Sequence, residues 1–137
     1  MGIFNIFGKK DVVSDLTKSS PFKIATEWVP YKLYARRNSS AMLIVKLKNV
    51  TNEVLLTSVV AELPKQLGFE SMAISKEREM RLGDLAPQKE IEAKFDVFST
   101  LNSDPGEYTL GITVIAHYRD YAHVLNAVKK RVTVEVV

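Results

Sequence analysis

Residues 91–97, Ile-Glu-Ala-Lys-Phe-Asp-Val, decide the fold. Ile91, Ala93, Phe95 and Val97 alternate with Glu92, Lys94 and Asp96, and a period of two sends successive side chains to opposite faces of an extended chain. The pattern describes a half-buried strand. Working outward, the same period runs from Tyr108 to Arg119, where Leu110, Ile112, Val114 and Ala116 share one face. It recurs in Leu43, Val45 and Leu47 against Lys46 and Lys48, and in Val132, Val134 and Val136 against Arg131, Thr133 and Glu135. Val54 to Leu63 is a further strand with two readable phases, since Leu55, Val59, Ala61 and Leu63 face Val54, Leu56 and Val60 across it. Glu79–Leu82 and a piece around Phe69–Ala73 are shorter segments. Tyr31–Arg37 reads as the first, edge-like strand. The turns NVTNE (49–53), GDLAPQK (83–89) and DPGE (104–107) punctuate the series, with Pro pre-setting φ and Gly allowing positive φ. About seven or eight strands without a long helical period make the chain all-β, an antiparallel β-sandwich.

The chain has 137 residues, 46% of them hydrophobic and 26% charged, enough for one ordinary globular domain. It has no cysteine, which removes disulfides, thiolate metal sites and thiol nucleophiles. The net charge of +3 permits an acidic partner without demanding one.

Residues 1–27 read as an N-terminal tail or connecting segment, and residues 28–137 as the sandwich domain. Asp11 or Ser14 could cap one helical turn before Pro21. Lys9 and Lys10 follow a short apolar run rather than precede a long one, so the start does not resemble a secretory signal. With no apolar stretch long enough to span a bilayer, the expected location is cytoplasmic. Ile3, Phe4, Ile6 and Phe7 fit a tail that packs on its own domain or on a neighbour. A weak membrane contact by residues 3–10 is the alternative, with Lys9 and Lys10 toward anionic lipid.

From Ala41 onward the chain resembles the immunoglobulin-like domains of the CARDB and NEW3 type. The motifs that carry the likeness are LIVKLKNVTNE (43–53), SVVAELPKQLGF (58–69), LGDLAPQKEIEAKFDV (82–97) and DPGEYTLGITVIAHY (104–118). The resemblance implies an immunoglobulin-like sandwich serving as a spacer, adhesion or interaction module, with no catalytic residues. Tyr108, after Pro105-Gly106, is then expected to be a corner tyrosine whose hydroxyl bonds back to the backbone.

No nucleophile elbow or phosphate-cradling loop is present. His117, Asp120 and His123 could approach one another across a hairpin loop, but two histidines without a third imidazole or a thiolate are ordinarily polar surface. The expectation is a non-enzymatic protein with no catalytic, cofactor or metal residues. Asn38-Ser39-Ser40 and Asn49-Val50-Thr51 match glycosylation sequons.

Two surfaces remain as candidates. Trp28, Tyr31, Tyr34, Ile44 and Ile115 form a candidate protein interface, for a protein partner or a second copy in a homodimer. Arg36, Arg37, Lys129, Lys130 and Arg131 form a candidate polyanion surface, where nearby tyrosines could stack the bases of a single-stranded nucleic acid.

Overall fold

A computed structural model describes residues 20–137. The expected tail, helical turn and membrane contact of residues 1–19 therefore lie outside the described residues. Eight strands follow in order: β1 (Phe22–Val29), β2 (Lys32–Leu33), β3 (Ser39–Asn49), β4 (Leu55–Glu62), β5 (Glu77–Leu85), β6 (Glu90–Ser99), β7 (Gly106–His117) and β8 (Val124–Val136). They form a three-stranded sheet, β1-β3-β6, packed on a five-stranded sheet, β2-β8-β7-β4-β5. All pairings are antiparallel except the short β2–β8 pair, which is parallel. This is the sandwich that the period-two segments predict.

The core is what alternation requires. Leu43, Val45 and Leu47 of β3 and Ala93, Phe95 and Val97 of β6 face Val59 and Ala61 of β4, Leu110, Ile112 and Val114 of β7, and Val132, Val134 and Val136 of β8, all buried. The phase of β4 resolves with Thr57 inward, its buried hydroxyl donating to the Leu55 carbonyl at 2.9 Å. Leu56 and Val60 face outward. A buried hydroxyl must find an acceptor, and here it finds one two residues back on its own strand.

The sequence-based domain boundary at residue 28 is corrected. Phe22–Val29 is a full strand, paired from Phe22↔Asn49 to Val29↔Met42. Phe22 is buried, and Ile24 and Trp28 pack against the core. The expected first strand over Tyr31–Arg37 shrinks to Lys32–Leu33, because after Pro30 the chain crosses to the other sheet to lie beside Glu135 and Val136. Phe69–Ala73 is also not a strand. It is a loop held by the Gly68↔Phe98 bridge, with Ala73 at φ 54°. A Cβ on Gly68 would sit 2.1 Å from the Ala73 Cα, so only glycine fits this crossing.

Candidate interaction surface

The predicted interface residues do not form one patch. Ile44 is on the outer face of the three-stranded sheet, between Glu27 and Lys94 in register. Ile115 is on the outer face of the other sheet, between Ser58 and Ala127. Trp28 points inward, and its indole Nε1–H donates to the Thr133 carbonyl of β8 at 3.0 Å. It bridges the two sheets, which explains a Trp beside the core without invoking a partner. Tyr31 (70% exposed) and Tyr34 remain on the surface. The Lys32 ammonium lies 5.5 Å and 5.8 Å from their two ring centres, and the Arg37 guanidinium 4.5 Å from that of Tyr34, within cation–π range.

The loop carrying Tyr34 and Arg37 is tied down at its backbone. The Ser99 hydroxyl sits 2.9 Å from the Tyr34 carbonyl and 2.8 Å from that of Arg37. The Ala35 N–H donates to Val137, and the Arg36 N–H to Ser103.

The candidate basic residues fall into two groups. Arg36 and Arg37 are at one end of the sandwich, while Lys129–Arg131 sit along β8 about 20–25 Å away, at roughly 3.3 Å per strand residue. Several are already engaged. Arg36 pairs with Asp104 at 3.3 Å, Lys129 lies 3.9 Å from Glu62, and the Lys130 ammonium reaches the Ile24 carbonyl at 3.3 Å. Arg131 stands on the outer face opposite Gly111. A continuous basic stripe is not what this arrangement builds.

The histidines also separate. The His123 Nδ1 is 2.7 Å from the Asp120 carboxylate, and that hydrogen bond holds the Asp120 carboxyl below its ordinary range. His117 is buried under Tyr121, with its Nε2 2.7 Å from the Ser58 Oγ. The Tyr121 hydroxyl in turn accepts the Gly83 N–H at 2.9 Å, and Arg81 stacks on the Tyr121 ring. Ser58 is fully buried, so this hydroxyl–imidazole pair is closed to a substrate. It anchors the β7–β8 hairpin tip over β4 and β5. Among the described residues, no three His, Cys, Asp or Glu side chains converge on a metal-sized site.

One feature escaped the sequence reading: the outer edge of β8. Among the described residues, no strand pairs with that edge before Glu135, where β2 begins. Val124 and Leu125 are 56% and 59% exposed. Next to them a groove of about 590 Å³ opens between Ser20–Pro21, the β3–β4 turn and the start of β8, its apolar lining (Val50, Leu55, Ala116 and Leu125) mixed with polar side chains of the turn and of β8. The turn on its far side is rigid. The Asn49 side chain, fully buried, donates to the Glu53 and Leu85 carbonyls and accepts from the Thr51 N–H and hydroxyl, so all four of its hydrogen-bonding positions are used. The sequon nitrogen of Asn49 is therefore sealed inside the fold.

The other three edges are blunted in recognisable ways. β5 presents Glu77, Arg78, Glu79, Arg81 and Asp84, with a bulge opposite Thr57/Ser58. β6 carries Glu90, Glu92, Lys94 and Asp96 and ends under the Gly68 bridge. β1 carries Lys23 and Glu27 between two prolines, Pro21 and Pro30. Val124–Val128 has neither a charge nor a proline.

No family model matches the chain, and no curated protein does. Among solved structures, it is similar to a part of the Escherichia coli alpha-2-macroglobulin, with a TM-score of 0.62 and 13% identity over 87% of this chain. The match spans 7% of that much longer protein. MyfA, the major subunit of Myf fimbriae from Yersinia enterocolitica, aligns at a TM-score of 0.48 and 9% identity, covering 83% of this chain and 98% of that one. At 13% identity the macroglobulin likeness is one of fold, and the fold is an immunoglobulin-like β-sandwich.

Proposed function

We propose that this protein is a non-enzymatic interaction module acting through protein–protein contact at the edge of β8. The observation that carries the reading is the uncharged Val124–Val128 edge, unpaired among the described residues, beside a groove of mixed apolar and polar lining. Strand addition gives affinity through main-chain hydrogen bonds and specificity through adjoining side-chain pockets, and this edge offers both. Membership of the CARDB and NEW3 type is part of the proposal. It is supported by the structural work its motif residues do, with Gly68 at a close crossing and the Tyr108 hydroxyl donating to the Asp104 carbonyl at 2.7 Å. A cytoplasmic setting is proposed with the same reading, and cell fractionation tests it.

The second reading, binding of a single-stranded nucleic acid or other polyanion, is favoured by the Tyr31–Lys32–Tyr34–Arg37 stack alone. Salt separates the two. Counterion release makes a polyanion complex weaken steeply between about 50 and 200 mM salt, whereas an edge contact with an apolar flank changes little. Partner binding that survives 200 mM salt and is lost in Ala127→Pro supports the proposal. An oligonucleotide complex that fades with salt and is unaffected by Ala127→Pro overturns it.

A further inference from the structure

Resting on that reading, we infer that the occupant of the β8 edge is a second copy of this chain, its β8 laid antiparallel with Ala127 on the two-fold axis. The direction of the backbone groups comes first. The Thr133 carbonyl points off the outer edge, since it accepts from Trp28, and β2 pairs at Glu135. In an antiparallel ladder these directions alternate, so Ala127, Lys129 and Arg131 also turn their N–H and C=O groups outward.

Among axes that pass through a residue with outward backbone groups, charge and geometry favour one. An axis through Lys129 sets that ammonium against its own copy, which destabilises a cross-strand pair. An axis through Leu125 falls in the irregularity opposite Ala116/His117 and runs the ladder into the hairpin loop. An axis through Ala127 avoids the first and limits the second, since its ladder crosses the irregularity only at Leu125 and ends at His123, the residue before β8. It places Lys129, Lys130 and Arg131 of one copy opposite Leu125, Val124 and His123 of the other, and it brings Arg131 to the partly exposed Asp120–His123 pair. The ladder then spans the edge up to the point where Trp28 and β2 close it.

The same axis accounts for Ile115. Ile115 and Ala127 are register neighbours on the outer face. Two copies joined at Ala127 merge their five-stranded sheets and line up Ile115–Ala127–Ala127–Ile115 as one apolar row. A small residue on the axis lets the row close without steric conflict. An isologous contact of this kind also closes on itself and leaves no further edge of β8 to propagate.

The cysteine-free chain makes the test clean. A hydrogen-bonded antiparallel pair places its Cα atoms about 5.5 Å apart, inside the range a disulfide spans. Ala127→Cys is expected to form a covalent dimer on mild oxidation at a concentration where Glu92→Cys, on the other sheet, does not. Wild-type protein is expected to sediment as a dimer. Ala127→Pro removes an outward N–H from each copy and is expected to weaken dimerisation by at least about tenfold with its thermal unfolding transition retained. Wild-type protein that sediments as a monomer, with no preferential cross-linking at residue 127, overturns the inference. So does a dimer unaffected by Ala127→Pro. A monomer that nevertheless retains a different protein, lost in Ala127→Pro, overturns the second-copy assignment while the proposed function stands.

Discussion

Asn49 and Glu70 show how single side chains hold the loops of this sandwich. Asn49 replaces the backbone partners that a turn leaves unsatisfied, and its burial makes each of those bonds expensive to lose. Asn49→Leu is expected to destabilise the fold by about 2–4 kcal/mol, read as a lower urea midpoint with an unchanged slope. The Glu70 carboxylate accepts the Ser75 N–H at 2.9 Å and the Ile74 N–H at 2.6 Å, and the Ser75 bond above all holds its carboxyl below the ordinary glutamate range. A depressed folded-state value means that the contribution is complete above the ordinary carboxylate range and is lost as pH falls through the lowered one. The Ile74 and Ser75 amides should therefore lose exchange protection in acid, with a midpoint below that of a free glutamate, and Glu70→Gln should lack that transition. At Tyr108 the expectation from the Pro-Gly-x-Tyr motif holds, with the hydroxyl bonded to the Asp104 carbonyl. Tyr108→Phe should cost about 1 kcal/mol in the same denaturation experiment.

At the scale of the strand, what could be read depended on how cleanly a segment alternates. β3, β6 and β7 have apolar residues at nearly every inward position and were legible at once. β1 was not, because Thr26 interrupts the inward row Phe22, Ile24, Trp28, and Ala25 weakens the outward one. The signal was present in Phe22, Ile24 and Trp28 against Lys23 and Glu27, but the polar, weakly periodic run that leads into it made the stretch read as a connection. The structural boundary has a direct consequence. Removing residues 1–27 deletes most of β1, including buried Phe22 and the Ile24 contact, and should abolish the cooperative unfolding transition seen by circular dichroism. Removing residues 1–19 should leave that transition in place. The phase of β4 was ambiguous for a similar reason, since Thr57 faces the core and Val60 faces out. No periodicity argument places a threonine inward until its hydroxyl partner is known.

For the whole molecule, the candidate surface was less legible than the fold. Sequence proximity grouped Trp28 with Tyr31 and Tyr34, and outward position grouped Ile44 with Ile115. Folding sends Trp28 inward and puts the two isoleucines on opposite sides of the sandwich. The β8 edge could not be seen in the chain because an edge is a property of pairing, and which strand ends a sheet depends on where β1 and β2 cross between sheets. Only the composition of the edge was readable, as the uncharged run Val-Leu-Asn-Ala-Val before Lys129. The central claim is that this run is where a partner strand adds. Amide hydrogen exchange measured across protein concentration tests it most directly. The account predicts that the outward amides of Ala127, Lys129 and Arg131 gain protection as concentration rises, while those along the charged β5 edge do not change. Protection that appears on β5 or β6 and leaves Ala127, Lys129 and Arg131 exchanging as before would contradict it.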